Sequence, residues 1–132
     1  MKATFYTVAE KTIPMVPFAK ERPRVTKNGT FMTNEYKANR DELAWRFGRV
    51  DAPALVRLTV VAIRPLPKRI SKKKRGELLG TYATPSPDID NIIGAVMDSL
   101  FSQDNLVVET AGRKIWGEEP ALHIKIEGIS YE

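Results

Sequence analysis

The sequence contains no cysteine and a single histidine. Disulfides and thiolate metal sites are thereby excluded, and so is any centre built from several imidazoles. A thiol-free chain suits a reducing compartment, so the expected location is the cytoplasm. No apolar run approaches the ~18 residues that a membrane span requires. The N-terminus, MKATFYTVAEKTIP, has neither an apolar core nor a small-residue cleavage site, so neither a secretory signal nor membrane association is expected. Internal repeats and low-complexity tracts are also missing, apart from a short SKKKR run.

What is present is a chain of 132 residues, 42% hydrophobic and 28% charged, with a formal charge of +5. That length fits one domain, 1–132, with one continuous core. An excess of lysine and arginine makes a polyanion a plausible partner, because clustered cations gain from releasing the counterions condensed on phosphates. A basic protein that is merely well solvated is the plainer alternative, and the distribution of the charge decides between them.

Along the chain, ATFYTVA reads as a first strand, followed by a proline-punctuated loop from Pro14 to Pro23. Asn28-Gly29 is a hairpin signal between VTK and TFM. Tyr36, Leu43, Phe47 and Val50 follow the helical period, with Thr33 as N-cap, which predicts a helix from Asn34 to about Val50. LVRLTVVAI, Leu55 to Ile63, is the most strand-like segment and is expected at the centre of a sheet. A long polar excursion, PLPKRISKKKRGELLGTYATPSP, shows no clear structure. A second helix is predicted from about Asn91 to Phe101, where Ile92, Ile93, Val96, Met97 and Leu100 make one apolar face. Leu106 to about Trp116 and Ala121 to Glu127 read as closing strands. Interspersed strands and helices predict an α/β (α+β) domain with a mixed β-sheet packed by about two helices.

The chemistry gathers around PDIDN, just before the second helix. If Asp88 and Asp90 lie on an extended arm, residues i and i+2 point the same way, and two adjacent carboxylates repel unless a hard cation such as Mg²⁺ or Mn²⁺ lies between them. The bland reading is a capped helix start with Asp88 facing water. Asp98, near the far end of the same helix, and Asp104, in the loop before the next strand, are further oxygen donors. His123 sits in the alternating strand ALHIKIE and reads as structural. Arg22-Pro23-Arg24 places forked cationic donors on a rigid link ahead of the hairpin that carries Lys27. Lys68, Arg69, Lys72, Lys73, Lys74 and Arg75 form a charge run that is either a solvated loop or a clamp on a nucleic-acid backbone.

Three segments in this order resemble the RusA family of Holliday junction resolvases, small endonucleases often carried by phages. RPRVTKNGTF looks like the family's early RPR-and-hairpin region. PDIDNIIGAVMDSL resembles its central PDxDNLxKAxxDAL motif, and SQDNLVVETAGRKIW is similar to its D-x-x-x-V stretch leading into a strand and a lysine. The resemblance covers most of residues 20 to 127. It implies a homodimer that cuts branched DNA, four-way junctions above all, with Mg²⁺ or Mn²⁺. It further implies that Asp88, Asp90 and Asp104 are the essential metal-binding acids, with Asp98 completing the cluster. Lys114, on the strand after Asp104, could contact the same phosphate, with Arg113 beside it on the DNA. Two departures stand out: Gly94 and Ser86 occupy places where the family usually has lysine. Both remove positive charge near the scissile phosphate and imply slower cleavage.

Overall fold

A computed structural model describes residues 1–132, the side chain of Arg24 excepted. The elements run β1 (Ala3–Ile13), β2 (Arg24–Thr26), β3 (Gly29–Phe31), α1 (Asn34–Phe47), β4 (Val56–Pro65), α2 (Lys72–Leu78), α3 (Ile89–Leu100), β5 (Val107–Gly117) and β6 (Ala121–Tyr131). The main sheet has the order β1-β6-β4-β5. Its β1–β6 and β6–β4 pairs are antiparallel, and β4–β5 is parallel. A parallel pair needs a long crossover, and the segment containing α2 and α3 supplies it. The predicted mixed sheet packed by helices is therefore present.

Alternation along the two central strands builds the core. Val56, Leu58, Val60 and Ala62 of β4, with Leu122, Ile124 and Ile126 of β6, are fully buried. They meet Leu43 and Phe47 of α1 and Ile92 and Val96 of α3 in one cluster. Truncating one of these large side chains to alanine typically costs about 2–5 kcal/mol, so the packing of α3 against the sheet is strongly held. The opposite face is polar. There Arg57 pairs across the sheet with Glu127 on β6 and, at 3.6 Å, with Glu109 on β5, and its guanidinium stacks on the Phe5 ring at 3.6 Å.

Local differences from the sequence reading have physical causes. The Thr33 hydroxyl accepts from the Tyr36 amide at 3.3 Å, as its N-cap position requires, but α1 stops at Gly48, short of Val50. The hairpin turn falls on Lys27-Asn28, since Thr26 pairs with Gly29. The excursion after β4 is not structureless: Ser71 caps α2, accepting from the Lys74 amide at 3.1 Å. His123 is structural, bonding Thr12 at 2.7 Å and Glu10 at 2.8 Å across β1 and β6. No helix among the described residues is long and apolar enough to cross a membrane.

Candidate active site and nucleic-acid interface

The first turn of α3 carries the opening pair of acids, but not on an extended arm. Asp88 is the N-cap, with φ −66 and ψ 147, and Asp90 already lies inside the helix. Asp88 keeps extended backbone while Asp90 is helical, so the two are not i and i+2 of one extended arm and the same-side argument does not carry over. Both side chains are exposed, and Asp88 makes no capping hydrogen bond. Neither carboxylate has an ion-pair partner among the described residues.

Three features hold this turn in place. Gly112 on β5 lets α3 approach closely: a Cβ there would stand 2.8 Å from Cδ1 of Ile93 and 3.1 Å from Cγ1 of Ile89. The Lys114 ammonium donates to three carbonyls of the preceding segment, those of Thr84 at 3.3 Å, Pro85 at 2.9 Å and Pro87 at 3.1 Å. With its three N–H donors engaged, Lys114 secures the chain that delivers Asp88. On the other flank, the Lys20 amide donates to the Asn91 carbonyl at 2.8 Å. That bond brings the arm containing Arg22 to the acid-bearing end of α3. The Glu21 carboxylate accepts from the amide and hydroxyl of Thr33, both at 2.6 Å, anchoring the arm at the base of the hairpin. Arg22 and Lys27 are exposed, and the side chain of Arg24 lies outside the described residues.

The remaining acids lie elsewhere. Asp98, about two turns beyond Asp90, accepts from the Tyr36 hydroxyl at 2.8 Å and faces Arg40 at 3.8 Å. Burial, and then the bond to Asp98, pushes the Tyr36 phenol far above its ordinary value. Asp98 thus joins α3 to α1. Asp104 opens the short turn Asp104–Leu106, beyond the C-terminal end of a helix that is about 18 Å long. Among the described residues, no three acidic or histidine side chains converge where one metal ion could sit. The expected four-acid cluster is not assembled within the described chain.

The basic run is partly brought to the same end of the sheet. Lys68, Arg69, Lys72, Lys73 and Lys74 are exposed. Arg75 is occupied structurally, bonding Glu118 at 2.9 Å and the Pro67 carbonyl at 3.2 Å. The chain returns from α2 along β5, through the Tyr82–Ile115 bridge and a 3.0 Å bond from the Ala83 amide to the Lys114 carbonyl. It then enters the segment that Lys114 holds. Arg113 differs: alternation along β5 turns Gly112 and Lys114 toward α3 and Arg113 to the other face. Sequence reasoning did not single out Lys20 or Arg40, and it read Tyr36 only as part of a helix's apolar period. Tyr36 and Arg40 stand one turn apart on a predicted helix, but their target, Asp98, is remote in sequence.

A family model described as endodeoxyribonuclease RusA matches residues 14–127, which include α3, β5 and both basic elements. The chain belongs to the RusA family. It is also 32% identical over 83 residues to the uncharacterized protein YqaN of Bacillus subtilis (strain 168), a match covering 57% of this chain and 58% of that protein. The chain therefore spans little more than half the length of this curated relative. RusA membership agrees with the mixed α+β fold.

Proposed function

We propose that this protein is a divalent-metal-dependent endodeoxyribonuclease that nicks branched DNA, four-way junctions in particular, as a homodimer. The observation that carries the reading is Asp88 and Asp90 at the start of α3, exposed and without an ion pair among the described residues, flanked by anchored basic elements in a RusA chain.

The donor set fits Mg²⁺ or Mn²⁺. Magnesium is commonly held by one or two carboxylates plus waters and substrate phosphates, so two unpaired carboxylates suffice without a closed protein cage. Asp88 and Asp90 would hold it; Asp104 and Asp98, which the resemblance also nominates, lie farther along the chain's path. A divalent cation held by these carboxylates would supply Lewis-acid assistance to attack on the phosphate. The protein's own part is positioning. Lys114 keeps the 84–87 segment rigid so that Asp88 stays at the helix start. Arg22 on its anchored arm, with Arg24 and Lys27 further along, would contact backbone phosphates in forked or point-charge fashion. Lys68, Arg69 and the lysines of α2 would hold a duplex arm through its backbone, without base readout. Arg113, on the far face, would meet DNA only away from the acids. A junction has approximate two-fold symmetry and needs two matched nicks, which a two-fold dimer provides.

The separation of Asp98 and Asp104 from Asp88 favours a second reading, a junction-binding accessory protein with a weakened site. One experiment separates them: incubation of a synthetic four-way junction with and without Mg²⁺. Symmetric nicks that need the metal support the nuclease. Tight binding without nicks in Mg²⁺ or Mn²⁺ establishes the accessory reading.

A further inference from the structure

Gly94 stands on α3 between Asp90 and Asp98, one turn from each. Glycine is disfavoured inside a helix, and here the space that a side chain would fill is taken by another part of the chain. A Cβ at Gly94 would lie 3.2 Å from Cδ of Lys20, 3.4 Å from its Cβ and 3.9 Å from its Cγ. The lysine stem is therefore laid on the helix surface at this position, with its backbone pinned one turn earlier by the bond to Asn91. A stem packed on apolar surface with its head in water is normal for lysine. The destination is what matters. The Lys20 side chain is exposed and its ammonium has no ion pair or hydrogen bond among the described residues. It is delivered onto the stripe of α3 that bears Asp90. Asp98, at the other end of that stripe, is already engaged by Tyr36 and Arg40.

We propose that Lys20 is a phosphate-contacting residue of the cleavage reaction, with Gly94 as the groove that seats its stem. The inference rests on the nuclease reading. The cation for the acid-bearing stripe comes from the N-terminal arm and not from α3. From a stem seated at Gly94, one turn from Asp90, the ammonium would stabilise the negative charge that grows on the phosphate oxygens during attack. A purely structural Lys20, covering the helix with its methylenes, would make no use of the ammonium.

Lys20→Met separates these roles, because it keeps the stem and removes the charge. Single-turnover nicking of a four-way junction at saturating Mg²⁺ is expected to fall roughly a hundredfold. The slope of log binding constant against log salt is expected to become shallower by about 0.9, the share of one phosphate. Lys20→Arg should retain most of both, and the melting temperature of either Lys20 variant should change little. Wild-type rate and wild-type slope in Lys20→Met overturn the inference while leaving the nuclease intact. If the wild type binds DNA but cuts none, the nuclease reading fails by itself. The slope then decides for Lys20: an unchanged slope overturns the phosphate interaction, and a decrease of about 0.9 upholds it as a DNA-binding residue.

Discussion

Asp90 and Lys114 show how a single side chain in this protein is used by its surroundings. Among the described residues Asp90 has no ion-pair partner, which leaves its charge for a ligand. Asp90→Asn is expected to abolish nicking and to leave junction binding unchanged or tighter, because it removes repulsion from a phosphate-binding surface. Retained cleavage in a single-turnover assay would reject its role. Lys114 is the reverse case, its ammonium fully occupied by the carbonyls of Thr84, Pro85 and Pro87. Lys114→Met leaves those acceptors without a charged donor. The expected result is a loss of about 1.5–3 kcal/mol in urea unfolding together with slower nicking. Slow nicking with undiminished stability would instead make Lys114 a direct phosphate ligand. At this scale the sequence is readable for residue type and less so for role. The motif around Asp88 and Asp90 is visible in it, whereas the partners of Lys114 and Asp98 lie 27 to 62 residues away along the chain.

At the scale of elements, α2 and α3 are legible to different degrees. α3 announces itself because Ile92, Val96 and their neighbours recur at helical spacing. Its start is harder to place, because the acids before the apolar run suit a helix cap as well as an extended arm. α2 buries nothing, so no apolar period marks it; only Ser71 ahead of the lysines signals a helix start. Being short and unburied, α2 tolerates change. Replacing Lys72, Lys73 and Lys74 with alanine is expected to preserve the fold, since alanine favours helix. Binding to every DNA shape should weaken, and the salt slope should fall by roughly 0.9 for each phosphate that is no longer neutralised. An unchanged slope in fluorescence anisotropy titrations would return this element to the status of a solvated helix. Gly94→Ala is the companion case in α3. Helix propensity gains up to ~1 kcal/mol, and only the flexible stem of Lys20 stands in the way. A higher melting temperature with slower nicking is expected. A gain in both would show that the groove at Gly94 serves no purpose in catalysis.

For the whole molecule, pH acts through the polar face of the sheet. The Arg57 guanidinium beside Glu127 holds that buried carboxyl below the ordinary value of about 4.3, against the opposing effect of burial. A carboxyl with a depressed folded value stabilises fully above its unfolded value. That contribution disappears as pH falls through the folded one. Thermal melts should therefore show stability dropping below about pH 4.3, and Glu127→Gln should lower the melting temperature near neutrality while flattening the acid limb. An acid limb as steep in the variant as in the wild type would assign acid lability to other carboxylates. The layered architecture and the central place of β4 are predictable from alternation and an apolar run. The arrangement of β5 parallel to β4, with β6 inserted between β4 and β1, is not, because strand order is settled by long-range packing.

That order leaves β5 at the margin of the sheet, with β4 on one side only. Its last residues are closed off by the strand-like return through Tyr82, but the stretch from Val108 to Arg113 is exposed. An open row of backbone donors and acceptors is a template for another chain, and charged side chains along it discourage such pairing. Glu109 and Arg113 flank this stretch, beside a half-exposed Val108. Charges at these positions would disfavour growth of one copy onto the next along this edge.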